Sequence, residues 1–157
     1  MTRILVVDDE IGVCCVIQHL LARHGYAVTA MTDGRAAREA VVCGDYAAAL
    51  IDLNLANIDG KEVIRAARAA RPEMPIVMMS GMVLESGRGA TDVLGMSIKV
   101  SGVYRLAKPF KPKDLLQLIS EIISQEDVPQ RTEVAATSGN GRQLAAQNGC
   151  KAWMPGR

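Results

Sequence analysis

The chain has 157 residues, of which 49% are hydrophobic, so its length and composition suit one domain with a hydrophobic core. Its 18 lysine and arginine residues nearly balance its 17 aspartate and glutamate residues, so the net charge gives no reason to expect nucleic acid or an anionic membrane as a partner. No apolar run reaches the length of a membrane span and no cleavable signal pattern is present, so we expect a cytoplasmic protein whose four cysteines are reduced.

Short apolar runs alternate with longer segments of helical spacing over about the first 125 residues. This alternation is typical of an α/β fold with a parallel sheet. The first run is apolar, as a strand buried on both faces should be, and the first helix ends near Gly25. In chain order we predict strand 3–7, a helix with Val13, Ile17, Leu20 and Leu21 on its core face, strand 27–31, helix 35–42, strand 47–51, helix 60–70 and strand 76–79.

The pattern is less regular after the fourth strand. Five glycines interrupt residues 81–102, so we place only a short helix there, near residues 91–100. A fifth strand at 103–107 and a turn at 108–110 come next. The last helix starts near Pro112, and its core face carries Leu115, Leu118, Ile119 and Ile122.

The composition changes from residue 126 to residue 157, where Gln, Thr, Ser, Asn and Gly occur among scattered charges. Such a segment lacks the apolar residues that a packed core needs. We therefore predict a folded domain over residues 1–125 and a flexible low-complexity tail over residues 126–157, with no output domain.

Four of the five predicted strands are followed directly by a residue with a carboxylate, hydroxyl or ammonium side chain. Asp8 and Asp9 follow the first strand, and Asp52 follows the third. Ser80 follows the fourth strand and Lys108 follows the fifth. Because ligands of open parallel sheets bind outside the carboxyl ends of the strands, we expect these side chains to lie on one rim.

Three carboxylates on one rim repel each other unless a cation or a proton lies between them. Oxygen ligands from a few carboxylates, with other positions left to water and phosphate, suit Mg²⁺. Asp52 can then act as a nucleophile toward a phosphoryl group. The Lys108 ammonium and the Ser80 hydroxyl can each serve one of the phosphoryl oxygens.

Each of these residues also has an ordinary structural interpretation. Asp8 or Asp9 alone could cap the following helix, and Lys108 could belong to a simple turn. The conjunction of four strand ends favours a phosphoryl site over these separate explanations.

Five segments resemble the motifs of CheY-like receiver domains of response regulators, in the family's order and with similar spacing. They are residues 4–10 (ILVVDDE), 50–53 (LIDL), 58–60 (IDG), 79–81 (MSG) and 108–110 (KPF). The resemblance covers about residues 1–125. It implies a flavodoxin-like sheet of five parallel strands in the order 2-1-3-4-5, with helices on both faces.

The resemblance also implies a role for each site residue. Asp9, Asp52 and the backbone carbonyl of Asn54 would touch Mg²⁺ directly, and Asp8 would act largely through water. Lys108 and Ser80 would read the phosphorylated state.

The resemblance to receiver domains further implies that the chain is a phosphoacceptor in two-component signalling. It would take its phosphoryl group from a sensor histidine kinase or a histidine phosphotransfer protein, and it would catalyse only its own phosphotransfer and dephosphorylation. It would then act on a downstream protein target or pass the phosphoryl group onward.

Three features depart from the family's pattern. Ala56 stands four residues after Asp52, where a proline is usual, and should loosen the loop after the third strand. Arg105 stands at the position of the aromatic switch residue, with Tyr104 displaced by one, so coupling of Tyr104 to Ser80 is in doubt. The segment between Ser80 and Lys108 is longer than usual and rich in glycine.

Three other classes of protein give alternative interpretations of the same residues. A haloacid-dehalogenase-type phosphatase would carry an acid/base aspartate two residues after the nucleophile, where this chain has Asn54. A flavin-binding module would carry a hydroxyl-rich loop after the first strand, where Asp8 and Asp9 would repel phosphate. A degenerate receiver, or a fragment of a hybrid kinase that acts as a phosphorylation-independent interaction module, stays open because of Ala56 and Arg105.

Overall fold

The structure is a computed structural model that describes residues 1–81 and 102–126. The helix predicted near residues 91–100 and the tail beyond residue 126 lie outside the described residues. The elements are β1 (Arg3–Val7), α1 (Ile11–Ala22), β2 (Ala27–Met31), α2 (Gly34–Cys43), β3 (Ala48–Asp52), α3 (Gly60–Ala70), β4 (Ile76–Ser80), β5 (Val103–Ala107) and α4 (Pro112–Glu126).

The five strands form one sheet with the order β2-β1-β3-β4-β5. Every neighbouring pair is parallel, which confirms the predicted fold class. Val7 pairs with Ile51, and Ser80 pairs with Ala107. Because all strands point the same way, the residues that follow β1, β3, β4 and β5 share one rim of the sheet.

Helices cover both faces of the sheet, as predicted. In β1, Ile4 and Val6 face one side, and Leu5 and Val7 face the other. The first side packs against α1 and α4, and the second packs against α2 and α3. The buried residues of these helices are Cys14, Ile17 and Leu21 of α1, Leu115, Ile119 and Ile122 of α4, Ala37 and Val41 of α2, and Val63, Ile64 and Ala67 of α3.

The core face of α1 includes one residue that the prediction lacked. Cys14 is buried, and Val13 is partly buried against the same core. The spacing from Cys14 to Ile17 and Leu21 is three and then four residues, which keeps all three on the sheet side of the helix. Within the described residues, neither Cys14 nor Cys15 forms a disulfide, and the redox state of the cysteines stays a prediction.

No helix within residues 1–81 or 102–126 combines the length and the apolar composition that a membrane-spanning segment needs.

Candidate metal and phosphoryl site

The side chains of Asp8, Asp52 and Lys108 meet at the carboxyl rim of the sheet. The Lys108 ammonium nitrogen lies 2.5 Å from Asp8 Oδ2 and 2.8 Å from Asp52 Oδ2. Asp8 is fully buried, and Asp52 is 4% exposed. The predicted convergence of the ends of β1, β3 and β5 is therefore present, with Lys108 bridging the two carboxylates.

Backbone amides hold the other oxygen of each carboxylate. Asp8 Oδ1 accepts a hydrogen bond from the Glu10 amide at 2.9 Å, and Asp52 Oδ1 accepts one from the Asn54 amide at 3.0 Å. Each carboxylate thus uses one oxygen on its own loop and the other on Lys108. These contacts fix the orientation of both groups and compensate for their burial.

Lys108 reaches the carboxylates from the end of β5. Its backbone amide donates to the Ser80 carbonyl at 2.8 Å, which continues the β4–β5 pairing past the strand ends. Burial alone would lower the pKa of Lys108, but the hydrogen bonds and charges of Asp52 and Asp8 outweigh burial and raise the pKa above its ordinary value. The side chain therefore carries a positive charge at neutral pH.

Asp8, Asp9 and Asp52 form an acidic cluster. One carboxylate oxygen from each lies within 4.8 Å of the others, and Asp9 is exposed whereas the other two are buried. Three carboxylates face one ammonium, so negative charge is in excess at the rim. Because the donors are all oxygens and one of them opens to solvent, the cluster fits Mg²⁺, which binds through one or two carboxylates and keeps several waters.

Backbone contacts join the two ends of the loop that carries Asn54. Asn54 and Asp59 form an antiparallel bridge, and the Gly60 amide donates to the Leu53 carbonyl at 3.2 Å. A Cβ atom on Gly60 would lie 2.0 Å from the Asp52 carbonyl oxygen, so only glycine fits there. The predicted loosening by Ala56 stays a prediction, since these contacts hold the loop at other positions.

Ser80 ends β4 on the same rim and is half-buried. Its placement beside the Lys108 backbone agrees with the predicted position. Its role as a reader of the phosphorylated state stays a prediction.

Tyr104 and Arg105 face opposite sides of β5. Tyr104 packs with the core between the sheet and the helices α1 and α4, and its hydroxyl donates to Gln125 Oε1 at 3.3 Å. Arg105 is exposed, whereas its neighbour in the chain, Leu106, is buried against the same helices as Tyr104. A shift of one residue has therefore moved the aromatic ring to the other face of the strand.

Two contacts near the site were missed from the sequence. The Cys14 thiol donates to the Asp8 carbonyl oxygen at 3.3 Å, and the Asn57 side chain accepts from the Gly34 amide at 3.1 Å. The first could have been found from the 3–4 spacing of Cys14 with Ile17 and Leu21. The second joins residues 23 positions apart, and no local pattern signals it.

Comparison with known proteins places the chain in a family. Residues 4–120 match the response regulator receiver domain. The chain therefore belongs to the receiver-domain family of two-component response regulators, in which phosphorylation on an aspartate is general.

Curated relatives include two regulatory proteins. The transcriptional regulatory protein TcrA of Mycobacterium tuberculosis is 31% identical over 128 residues, covering 82% of this chain and 48% of TcrA. The regulatory protein VirG of Rhizobium rhizogenes is 28% identical over 133 residues, covering 85% of this chain and 53% of VirG. The chain thus spans about half the length of the curated relatives it matches.

Solved structures of receiver domains are similar over almost their whole length. Chemotaxis protein CheY4 of Vibrio cholerae is 27% identical, with a TM-score of 0.66 over 78% of this chain and 98% of CheY4. The receiver domain of the sensor histidine kinase PA1611 of Pseudomonas aeruginosa is 30% identical, with a TM-score of 0.66 over 78% of this chain and 98% of that domain. The PA1611 structure has a magnesium ion coordinated in its active-site cleft.

Proposed function

We propose that this chain is a single-domain response regulator that accepts a phosphoryl group on Asp52 from a phosphohistidine donor. The donor would be a sensor histidine kinase or a histidine phosphotransfer protein in the cytoplasm. The observation that supports the proposal is the contact of Lys108 with both Asp8 and Asp52, which brings the side chains at three strand ends together.

Asp8, Asp9, Asp52 and the carbonyl of Asn54 would hold Mg²⁺ at the rim. When bound, the ion would reduce the repulsion between the carboxylates and the incoming phosphoryl group. The exposed Asp9 leaves the cluster open on the solvent side, where water and phosphate can complete the coordination.

Asp52 is the proposed nucleophile. An oxygen of its carboxylate forms a bond to phosphorus while the bond from phosphorus to the donor's imidazole nitrogen breaks, and the electron pair of that bond stays on the imidazole. The hydrogen bond from the Asn54 amide to Asp52 Oδ1 holds the carboxylate in a fixed orientation during this transfer.

Lys108 would balance the charge of the product. Its ammonium already lies 2.8 Å from Asp52 Oδ2, so a phosphoryl group on Asp52 would be within reach of the same side chain. The raised pKa keeps Lys108 charged at neutral pH, as the stabilisation of phosphoryl oxygens requires. Ser80, at the end of the neighbouring strand, would serve a further oxygen.

The output would be a changed protein-binding surface or onward transfer of the phosphoryl group. A change in the position of Ser80 on phosphorylation would alter the surface that a partner recognises. Neither nucleic acid nor a membrane is proposed as a direct partner.

A second candidate function is an interaction module that works without phosphorylation, as a degenerate receiver or a fragment of a hybrid kinase. The similarity to the receiver domain of the sensor kinase PA1611 favours an origin in a hybrid kinase. The lack of an aromatic side chain at position 105 favours loss of the aromatic switch residue of receiver domains.

Intact-mass analysis after incubation with acetyl phosphate and Mg²⁺ distinguishes the two candidates. The phosphoacceptor gains the mass of one phosphoryl group, and the gain disappears with a chelator or with Asp52→Asn. Asp45→Asn is the matched control, because Asp45 is an exposed aspartate distant from the acidic cluster, and it should leave the gain unchanged. No gain in the wild-type chain would support the interaction module instead.

A further inference from the structure

The loop after β3, residues 53–59, rests on the N-terminus of α2. The Asn57 side-chain oxygen accepts a hydrogen bond from the Gly34 amide at 3.1 Å. The Gly34 amide is one of the first amides of α2, which have no partner inside the helix. Asn57 therefore caps a helix from outside its own segment.

Asp33 links the same cap to Asn57. Its carboxylate accepts a hydrogen bond from the Ala36 amide at 2.9 Å. The backbone hydrogen bond from Ala36 and then the nearby polar side chain of Asn57 lower the pKa of Asp33 below its ordinary value. The Asn57 side chain thus accepts from Gly34 and lies beside the carboxylate of Asp33.

Close packing joins the loop and the helix at the same place. A Cβ atom on Gly34 would lie 2.2 Å from Ile58 Cγ2 and 3.0 Å from Leu55 Cδ1. Leu55 and Ile58 also pack against the core between the sheet and the helices α2 and α3. The loop therefore has two anchors, one polar through Asn57 and one apolar through Leu55 and Ile58.

We infer that Asn57 is a positioning residue for the metal site, because it ties the loop that presents the Asn54 carbonyl to the rigid end of α2. Asn57 lies three residues from Asn54 within a loop whose two ends are joined by the Asn54–Asp59 bridge. A movement of Asn57 would be passed along this short segment to Asn54. The inference rests on the proposed function, in which the Asn54 carbonyl is a metal ligand.

The anchor also accounts for a loop without proline. Ala56 leaves the backbone at that position freer than proline would. The hydrogen bond that Asn57, the next residue in the chain, accepts from the Gly34 amide supplies a restraint from another segment of the fold rather than from the local backbone.

The test is direct cation binding to the full chain, with Mn²⁺ as the probe and free Mn²⁺ measured by electron paramagnetic resonance. Mn²⁺ prefers the same oxygen ligands as Mg²⁺. Asn57→Ala should weaken binding by about tenfold, the lower end of the effect seen when residues that orient metal ligands are lost. Circular dichroism checks that each variant is folded.

Exchanging the carboxylate and the amide between positions 33 and 57 separates a positioning role of Asn57 from a direct effect of charge on cation binding. Asn57→Asp places a carboxylate beside Asp33, so the two groups repel and the anchor breaks. An added negative charge alone would strengthen cation binding, whereas loss of the anchor should weaken it. The double variant Asp33→Asn with Asn57→Asp keeps an acceptor for each of the Gly34 and Ala36 amides and again places one amide side chain beside one carboxylate, so it should recover the wild-type affinity.

The outcomes distinguish the inference from the proposal beneath it. If the wild-type chain fails to bind Mn²⁺, the proposed function is wrong. If the wild-type chain binds but Asn57→Ala and Asn57→Asp bind equally well, the positioning role is wrong and the proposed function stands. Failure of the double variant to recover the affinity that Asn57→Asp loses would also overturn the positioning role.

Discussion

Lys108 and Asp8, which lie 100 positions apart in the chain, form an ion pair with a nitrogen–oxygen distance of 2.5 Å. The pair spans the rim from the end of β5 to the end of β1. Because Asp8 is fully buried, Lys108 supplies a positive charge to a carboxylate that solvent cannot reach.

Lys108→Ala should lower the stability of the protein in the absence of divalent cations. The change leaves two buried carboxylates without their cation, at a cost of about 1 to 2 kcal/mol, since Lys108 itself retains some contact with water. Mg²⁺ should recover more stability in the variant than it adds to the wild type, because the ion replaces the lost charge. Urea unfolding followed by circular dichroism, with and without MgCl₂, measures both effects.

Lys111→Ala is the control for that experiment. Lys111 is an exposed lysine on the same segment, so its loss should change neither the stability nor the response to Mg²⁺. Equal responses of the two variants to Mg²⁺ would contradict a charge-balancing role for Lys108.

Gly60→Ala should destabilise the protein and disturb the site. A Cβ atom there would lie 2.0 Å from the carbonyl oxygen of Asp52 and 2.7 Å from the Leu53 Cα atom, and backbone cannot move aside without shifting Asp52. We expect a loss of about 2 to 3 kcal/mol in the free energy of unfolding, together with weaker Mg²⁺ binding.

Gly12→Ala provides the matched comparison. Gly12 lies in α1, and a Cβ atom there meets nothing within 4 Å. Alanine should therefore stabilise the helix, by about 0.5 to 1 kcal/mol. Effects of the same sign and size for the two substitutions in urea unfolding would contradict the close packing of Gly60 against Asp52 and Leu53.

Cys14 should react with iodoacetamide more slowly than Cys15. Burial and then the charge of Asp8 raise the pKa of the Cys14 thiol, so less thiolate is present at a given pH, and the sulfur is also shielded. Peptide mapping of a Cys150→Ser variant at mildly alkaline pH should show Cys15 alkylated before Cys14. Alkylation of Cys14 at the same rate as the exposed Cys15 would contradict the packing of α1.

Much of the fold could be predicted because the local patterns agreed with one another. The strands at β1, β2 and β5 and the helix α3 have the predicted bounds, since each is a run of one periodicity closed by residues that end it. The convergence of Asp8, Asp52 and Lys108 followed from parallel strands alone. For these residues, sequence position and sheet geometry are sufficient to predict that the side chains lie close together.

Other features depend on contacts that no local pattern encodes. The bridge from Lys108 to two carboxylates was not predicted. From the sequence we expected the Lys108 ammonium to contact a phosphoryl oxygen instead. The anchor from Asn57 to Gly34 joins segments that are 23 positions apart in the chain. These features are set by tertiary packing.

The most direct test of the account is to locate the phosphoryl group on the chain. Borohydride reduces an aspartyl phosphate to homoserine, which peptide mass mapping detects at a single position. After incubation with acetyl phosphate and Mg²⁺, we predict homoserine at position 52 and aspartate unchanged at positions 8 and 9. Homoserine at either of those positions, or none in the peptide that contains residue 52, would contradict the assignment of Asp52 as the phosphoacceptor.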